Sequence, residues 1–131
     1  MQTSEWPYHF PPCCPPPDAA PTDGTLYMVA HVPPTTDDLK SALENKLHVQ
    51  SDPCERASLS CWVEATTHDD LTRVLDDILK LPRHRGKTIL RCSFAPTDGV
   101  LKPTGKNARL GHRSTWFRAS TLGQLASRFV P

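Results

Sequence analysis

Few residues in this 131-residue chain have types and spacing suited to chemistry. Five cysteines, Cys13, Cys14, Cys54, Cys61 and Cys92, form an odd set without a Cys-x-x-Cys pair. Structural zinc needs four ligands in recognisable pairs, so a metal site built on His9 and Cys13 is disfavoured and reduced, buried thiols are expected. The paired acids Asp37-Asp38, Asp69-Asp70 and Asp76-Asp77 fall at helix starts or on a solvated helix face, where negative charge caps rather than catalyses. His31 and His48 sit at strand ends or in loops. The chain has no glycine-rich phosphate loop, Gly-x-Ser-x-Gly, His-Glu-x-x-His or local Cys-His signature. No catalytic residue, metal or cofactor is expected.

What remains is contact chemistry, from aromatic rings and cations. The formal net charge of +1 hides an asymmetry: residues 1–95 hold 9 Lys+Arg against 13 Asp+Glu, and residues 96–131 hold 6 against the single Asp98. A basic tail on a mildly acidic body suits contact with nucleic acid, with the body itself, or with an acidic protein. No run approaches the ~18 apolar residues of a membrane span, and the start lacks a secretory signal. An intracellular protein, nuclear or cytoplasmic, with no membrane partner is expected.

These residues must be positioned by a single small core. Residues 1–24 are rich in proline, which lacks a backbone donor and restricts its neighbours, so they read as an extended arm. Its aromatics Trp6, Tyr8 and Phe10 suit a groove on a protein partner. TLYMVAHV then reads as a strand. PPTTDDLKSALENKLHV follows as a turn, a Thr/Asp cap and a helix with Leu39, Ala42, Leu43 and Leu47 on one face. A short strand fits near His48 to Gln50. LSCWVEAT alternates Leu59, Cys61 and Val63 with Ser60, Trp62 and Glu64 on opposite faces. TTHDDLTRVLDDILKLP places Leu71, Val74, Leu75, Ile78 and Leu79 on a helical stripe. KTILRCSFA sets Leu90, Cys92 and Phe94 against Ile89, Arg91 and Ser93.

This β-α-(β)-β-α-β order implies an α+β fold, the ferredoxin-like βαββαβ sandwich: a four-stranded antiparallel sheet with two helices on one face. Residues 25–95 would form the domain, between the arm and a basic extension over 96–131. Right-handed crossovers make the first and third strands central neighbours, which puts Trp62 in the middle of the open face.

The stretches LYMVAHVPPTTDDL, SLSCWVEATTHDDLTRVL and RGKTILRCSFA, within residues 25–95, resemble the RNA recognition motif family, as a degenerate member. That resemblance implies stacking of single-stranded RNA on first- and third-strand aromatics. WVEA, residues 62–65, matches the end of the family's octamer and puts Trp62 at a stacking position. The other octamer aromatics fall on Ser60 and Ala65, and its basic-glycine pair on Ser58 and Leu59. Tyr27 is the preferred stacking residue of the first strand, with Met28 as the alternative register. Lys87 and Arg91 would reach phosphates.

KPTGKNARLGHR reads as a basic loop able to follow a phosphate backbone. STWFRASTLGQLASRF reads as a short amphipathic helix carrying Trp116 and Phe117, able to lie over the open face, against the helices, or on a protein partner. Two functions follow. The first is an RNA-binding module using Tyr27, Trp62, Arg83, Arg85, Lys87, Arg91, Lys102, Lys106, Arg109 and Arg113. The second is a protein-binding assembly or regulatory subunit, of a ribonucleoprotein or another complex, using Trp6, Tyr8, Phe10, Trp116 and Phe117. DNA is disfavoured, because the first helix, DDLKSALENK, lacks the basic charge needed in a major groove.

Overall fold

In a computed structural model of the chain, the described residues are 6–39, 53–63, 68–105, 108 and 111–131. Among these residues six strands form one sheet: β1 (Ala20–Pro21), β2 (Gly24–Ala30), β3 (Leu59–Trp62), β4 (Thr88–Phe94), β5 (Gly99–Pro103) and β6 (His112–Phe117). Among the described residues four α-helical pieces accompany them: α1 (Pro53–Arg56), α2 (His68–Leu79), α3 (Ala119–Leu122) and α4 (Leu125–Arg128). The sheet runs β1-β5-β6-β3-β2-β4, and every pairing is antiparallel.

This corrects the ferredoxin-like expectation. The first and third expected strands, β2 and β3, are antiparallel neighbours through Tyr27 and Trp62, but they belong to a six-stranded sheet instead of a four-stranded one. The place beside β3 is taken by β6, from the segment read as a basic extension. The reason lies in its sequence: Val100, Thr115, Trp116 and Phe117 are β-branched or aromatic residues that favour strands. With β3 as hydrogen-bonding partner, that composition outweighs the helical reading of the stretch starting at Ser114. The amphipathic helix shrinks to the single turns α3 and α4. Pro21 enters the sheet only through the edge pairing of β1 with β5, where a missing donor is tolerated. The expected helix beyond Leu39 and the strand near His48 lie outside the described residues.

Alternation sorts the side chains onto two faces, and both are covered. On one, Leu26, Met28, Ala30, Leu59, Cys61, Leu90, Phe94 and Phe117 pack with Leu125 and Phe129, so the C-terminal turns close the main core. On the other, Trp62 packs with Leu75, and Tyr27, Val29, Ile78 and Ile89 gather around them. The amphipathic stripe of α2 therefore covers the face expected to be open. Further along that face Trp116 is buried and donates its indole N–H to the Cys54 carbonyl at 2.8 Å.

Cys14 and Cys54 form a disulfide. This corrects the expectation of five reduced thiols, and a structural bond of this kind is favoured by oxidising surroundings. It ties the arm to α1 across 40 residues of sequence. The expected Thr/Asp cap is present: Thr35 N–H donates to Asp38 Oδ2 at 2.9 Å, and Asp38 N–H to Thr35 Oγ1 at 3.2 Å, a reciprocal capping arrangement. Among the described residues no helix is long and apolar enough to cross a membrane.

Candidate nucleic-acid interface

The ladder between β2 and β4 sets Tyr27 directly opposite Arg91, and Thr25 directly opposite Ser93. All four belong to the face that α2 covers, but they lie toward its uncovered end. They line a cleft of about 370 Å3 together with Cys92, Arg128 and Val130. The Tyr27 ring is half-buried, resting against the Trp62 cluster on one side and lining the cleft with the rest. Arg91 is exposed. The Thr25 and Ser93 hydroxyls lie 3.3 Å apart.

The cleft's other wall is the C-terminal strap. Val130 and Arg91 exchange backbone hydrogen bonds at 2.7 and 3.0 Å, which covers the middle of the β4 edge. Arg128 donates to the Ser93 carbonyl at 3.1 Å and to Asp98 Oδ2 at 3.2 Å. The hydrogen bond from Arg128 holds the Asp98 carboxyl below its ordinary value against the opposing effect of burial, helped by the Ala95 amide and the Thr121 hydroxyl. The same bond raises Arg128 above its own. Arg128 is thus a neutralised strut, whereas the Arg91 guanidinium makes no ion pair or side-chain hydrogen bond among the described residues. A tyrosine edge, an exposed guanidinium and two hydroxyls can hold a planar ring and an attached anion.

The structure disperses the other expected contact residues. Trp62 is only 5% exposed, and its ring meets His112 edge-on at 5.1 Å between centroids. Lys87 is directed inward to Asp38 at 3.6 Å, and Lys102 pairs with Asp18 at 3.1 Å. Arg113 donates to the Ala108 and His112 carbonyls at 2.8 and 2.9 Å. Arg85 is exposed beyond α2. Arg83 lies in the helical turn Pro82–His84. Lys106 and Arg109 lie outside the described residues.

Of the expected protein-contacting aromatics, Trp116 and Phe117 belong to the buried interior. Trp6 stacks on Phe10 and carries the Arg118 guanidinium 4.4 Å above its ring. Tyr8, 99% exposed, alone of these projects into solvent.

Thr25 and Ser93 were missed as cleft residues although strand alternation placed them beside Tyr27 and Arg91. Arg128 carried no such signal, since its position depends on where the C-terminal turns dock. Comparison with family models, curated proteins and solved structures finds no match to the chain.

Proposed function

We propose that the chain is a binding module for single-stranded RNA, with the Tyr27–Arg91 cleft as its contact point. The observation that carries this reading is the cross-strand pairing of Tyr27 with Arg91, exposed and without an ion pair among the described residues, at an open cleft. A base laid against the tyrosine ring gains roughly 1 to 3 kcal/mol, and a phosphate beside Arg91 adds a charge-assisted contact. The neighbouring Thr25 and Ser93 hydroxyls supply donors and acceptors for a ribose or a base edge.

One ring and one cation at the cleft make a modest site. Binding on this reading is weak and salt-dependent, and its specificity is low.

The test is fluorescence anisotropy with short labelled RNA strands over a range of salt concentrations, comparing the native chain with Arg91→Ala and Tyr27→Leu. Arg91→Ala is expected to weaken binding and reduce the slope of log affinity against log salt by about one. Tyr27→Leu is expected to weaken binding with little change of slope. Unchanged affinity in both variants would overturn the RNA reading and leave protein docking as the alternative.

A further inference from the structure

The register of β3 on β6 sets Ser60 opposite Ser114 and Trp62 opposite His112. Ser60 and His112 are therefore diagonal neighbours on one face, within reach of each other's side chains. The His112 Nε2 atom lies 3.1 Å from Ser60 Oγ, and its Nδ1 lies 3.1 Å from the Thr104 carbonyl oxygen. A carbonyl can only accept, so Nδ1 carries the ring proton. In the neutral ring Nε2 is then an acceptor aimed at the Ser60 hydroxyl. Nucleophile, base and orienting acceptor stand in sequence, as in hydrolytic serine sites.

The surroundings favour that arrangement over an incidental surface bond. Trp62 meets the imidazole edge-on, and Thr104 Oγ1 bonds Ser114 Oγ at 2.6 Å, so ring and carbonyl are both held. Burial keeps His112 below its ordinary value, and the Arg113 charge adds to this, against the Thr104 carbonyl and the Glu55 charge; the imidazole is thus neutral at physiological pH. Ser60 itself is exposed. Thr104 also lines a cleft of about 330 Å3 with Pro16, Glu55, Lys102, Gly105 and Trp116. Lys102 is the cross-strand partner of Ser114, so Lys102, Ser114 and Ser60 form a row across three strands, with the Lys102–Asp18 ion pair at one end.

We infer that Ser60 and His112 form a nucleophilic pair that transfers a small acyl group from a carboxylic ester to water, with the Thr104 carbonyl as positioning group. Ser60 Oγ bonds to the ester carbonyl carbon as its proton passes to His112 Nε2. Collapse of the tetrahedral adduct breaks the bond to the alcohol oxygen, which takes that proton. Water then attacks the acyl-serine with His112 again as base, releasing the carboxylic acid and restoring Ser60. No co-reactant beyond ester and water is needed, and the inference stands independently of RNA binding.

The experiment treats the full chain with a fluorophosphonate, which phosphonylates an activated serine with loss of fluoride, and locates the adduct by peptide mass spectrometry. One adduct per chain on Ser60 is expected, with none in Ser60→Ala. His112→Gln should slow labelling by roughly 100-fold or more, the usual worth of a positioned general base. With 4-nitrophenyl acetate, the native chain should release nitrophenol in a burst absent from Ser60→Ala. Because Ser60 is exposed, its loss should leave the melting temperature unchanged, and Ser60→Cys keeps a nucleophile at the same position as a second check. Absence of an adduct, an adduct on another residue, or labelling of His112→Gln at the native rate would each overturn the inference.

Discussion

Tyr27 and Trp62 face each other directly across β2 and β3, yet only Tyr27 reaches an open cleft, because Leu75 of α2 packs over Trp62. The two rings belong to one cluster and have different tasks. Trp62→Ala should behave as a core truncation, lowering stability by about 3 to 5 kcal/mol in urea denaturation. Arg91→Ala, on an exposed side chain, should stay within about 0.5 kcal/mol of the native chain. A Trp62→Ala variant of native stability would contradict the covered face.

Much of the strand pattern was legible in the sequence, because alternation is local. Leu59 and Cys61 point to one face and Ser60 and Trp62 to the other, as LSCWVEAT suggested, and the stripe through Leu75 and Ile78 marked α2. Which layer covers which face was not legible. An amphipathic helix fits either side of a sheet whose faces both carry apolar residues, and Trp62 offered α2 a seat as good as Leu59 and Cys61. β6 was hidden because Thr115, Trp116 and Phe117 fit a helix as well as a strand until the hydrogen-bonding partner β3 is known. The Cys14–Cys54 bond was equally invisible, since a 40-residue spacing carries no local signature. The Ser60–His112 pair joins residues 52 positions apart, and no motif search spans such a gap.

The disulfide should carry a large share of the stability. Closing a loop with a sequence separation of 40 removes unfolded-state entropy worth about 4 kcal/mol on the chain-entropy account. The paired variant Cys14→Ser with Cys54→Ser, or the native chain under a reductant, should melt well below the oxidised chain. Equal melting temperatures with and without reductant would show that the arm is held without the bond.

Asp38, whose side chain is 2% exposed, should contribute to destabilisation by acid. Burial alone would raise its pKa, but hydrogen bonds from the Thr35 and His31 amides, the His31 ring and the Thr35 hydroxyl outweigh it and hold the carboxyl at about 2. The folded value lies below the ordinary carboxylate value near 3.9, so the unfolded chain takes up the proton first as pH falls. The stabilisation is complete above roughly pH 4 and lost as pH falls toward 2. Urea midpoints measured between pH 6 and 2 should decline in that window, and the decline should be shallower in Asp38→Asn, which is less stable at pH 6. The same acid slope in both chains would exclude Asp38 as its source.

Gly111 governs the turn that delivers His112 to Ser60. Its φ is +110°, a region that other residues enter only with strain. A Cβ added there would also run into the Val63 carbonyl oxygen, in the neighbour whose N–H donates to Gly111 O at 2.9 Å. Gly105 provides the control, since its φ is +73° and a Cβ there meets nothing within 4 Å. Gly105→Ala should therefore cost only backbone strain, on the order of 1 kcal/mol. Gly111→Ala adds a backbone collision and should cost distinctly more, while displacing the His112 ring from Ser60. Thermal melts compare the two costs, and the rate of Ser60 phosphonylation reports the displacement. Equal costs, with labelling of Gly111→Ala at the native rate, would mean that the close approach of Gly111 to Val63 does not position His112.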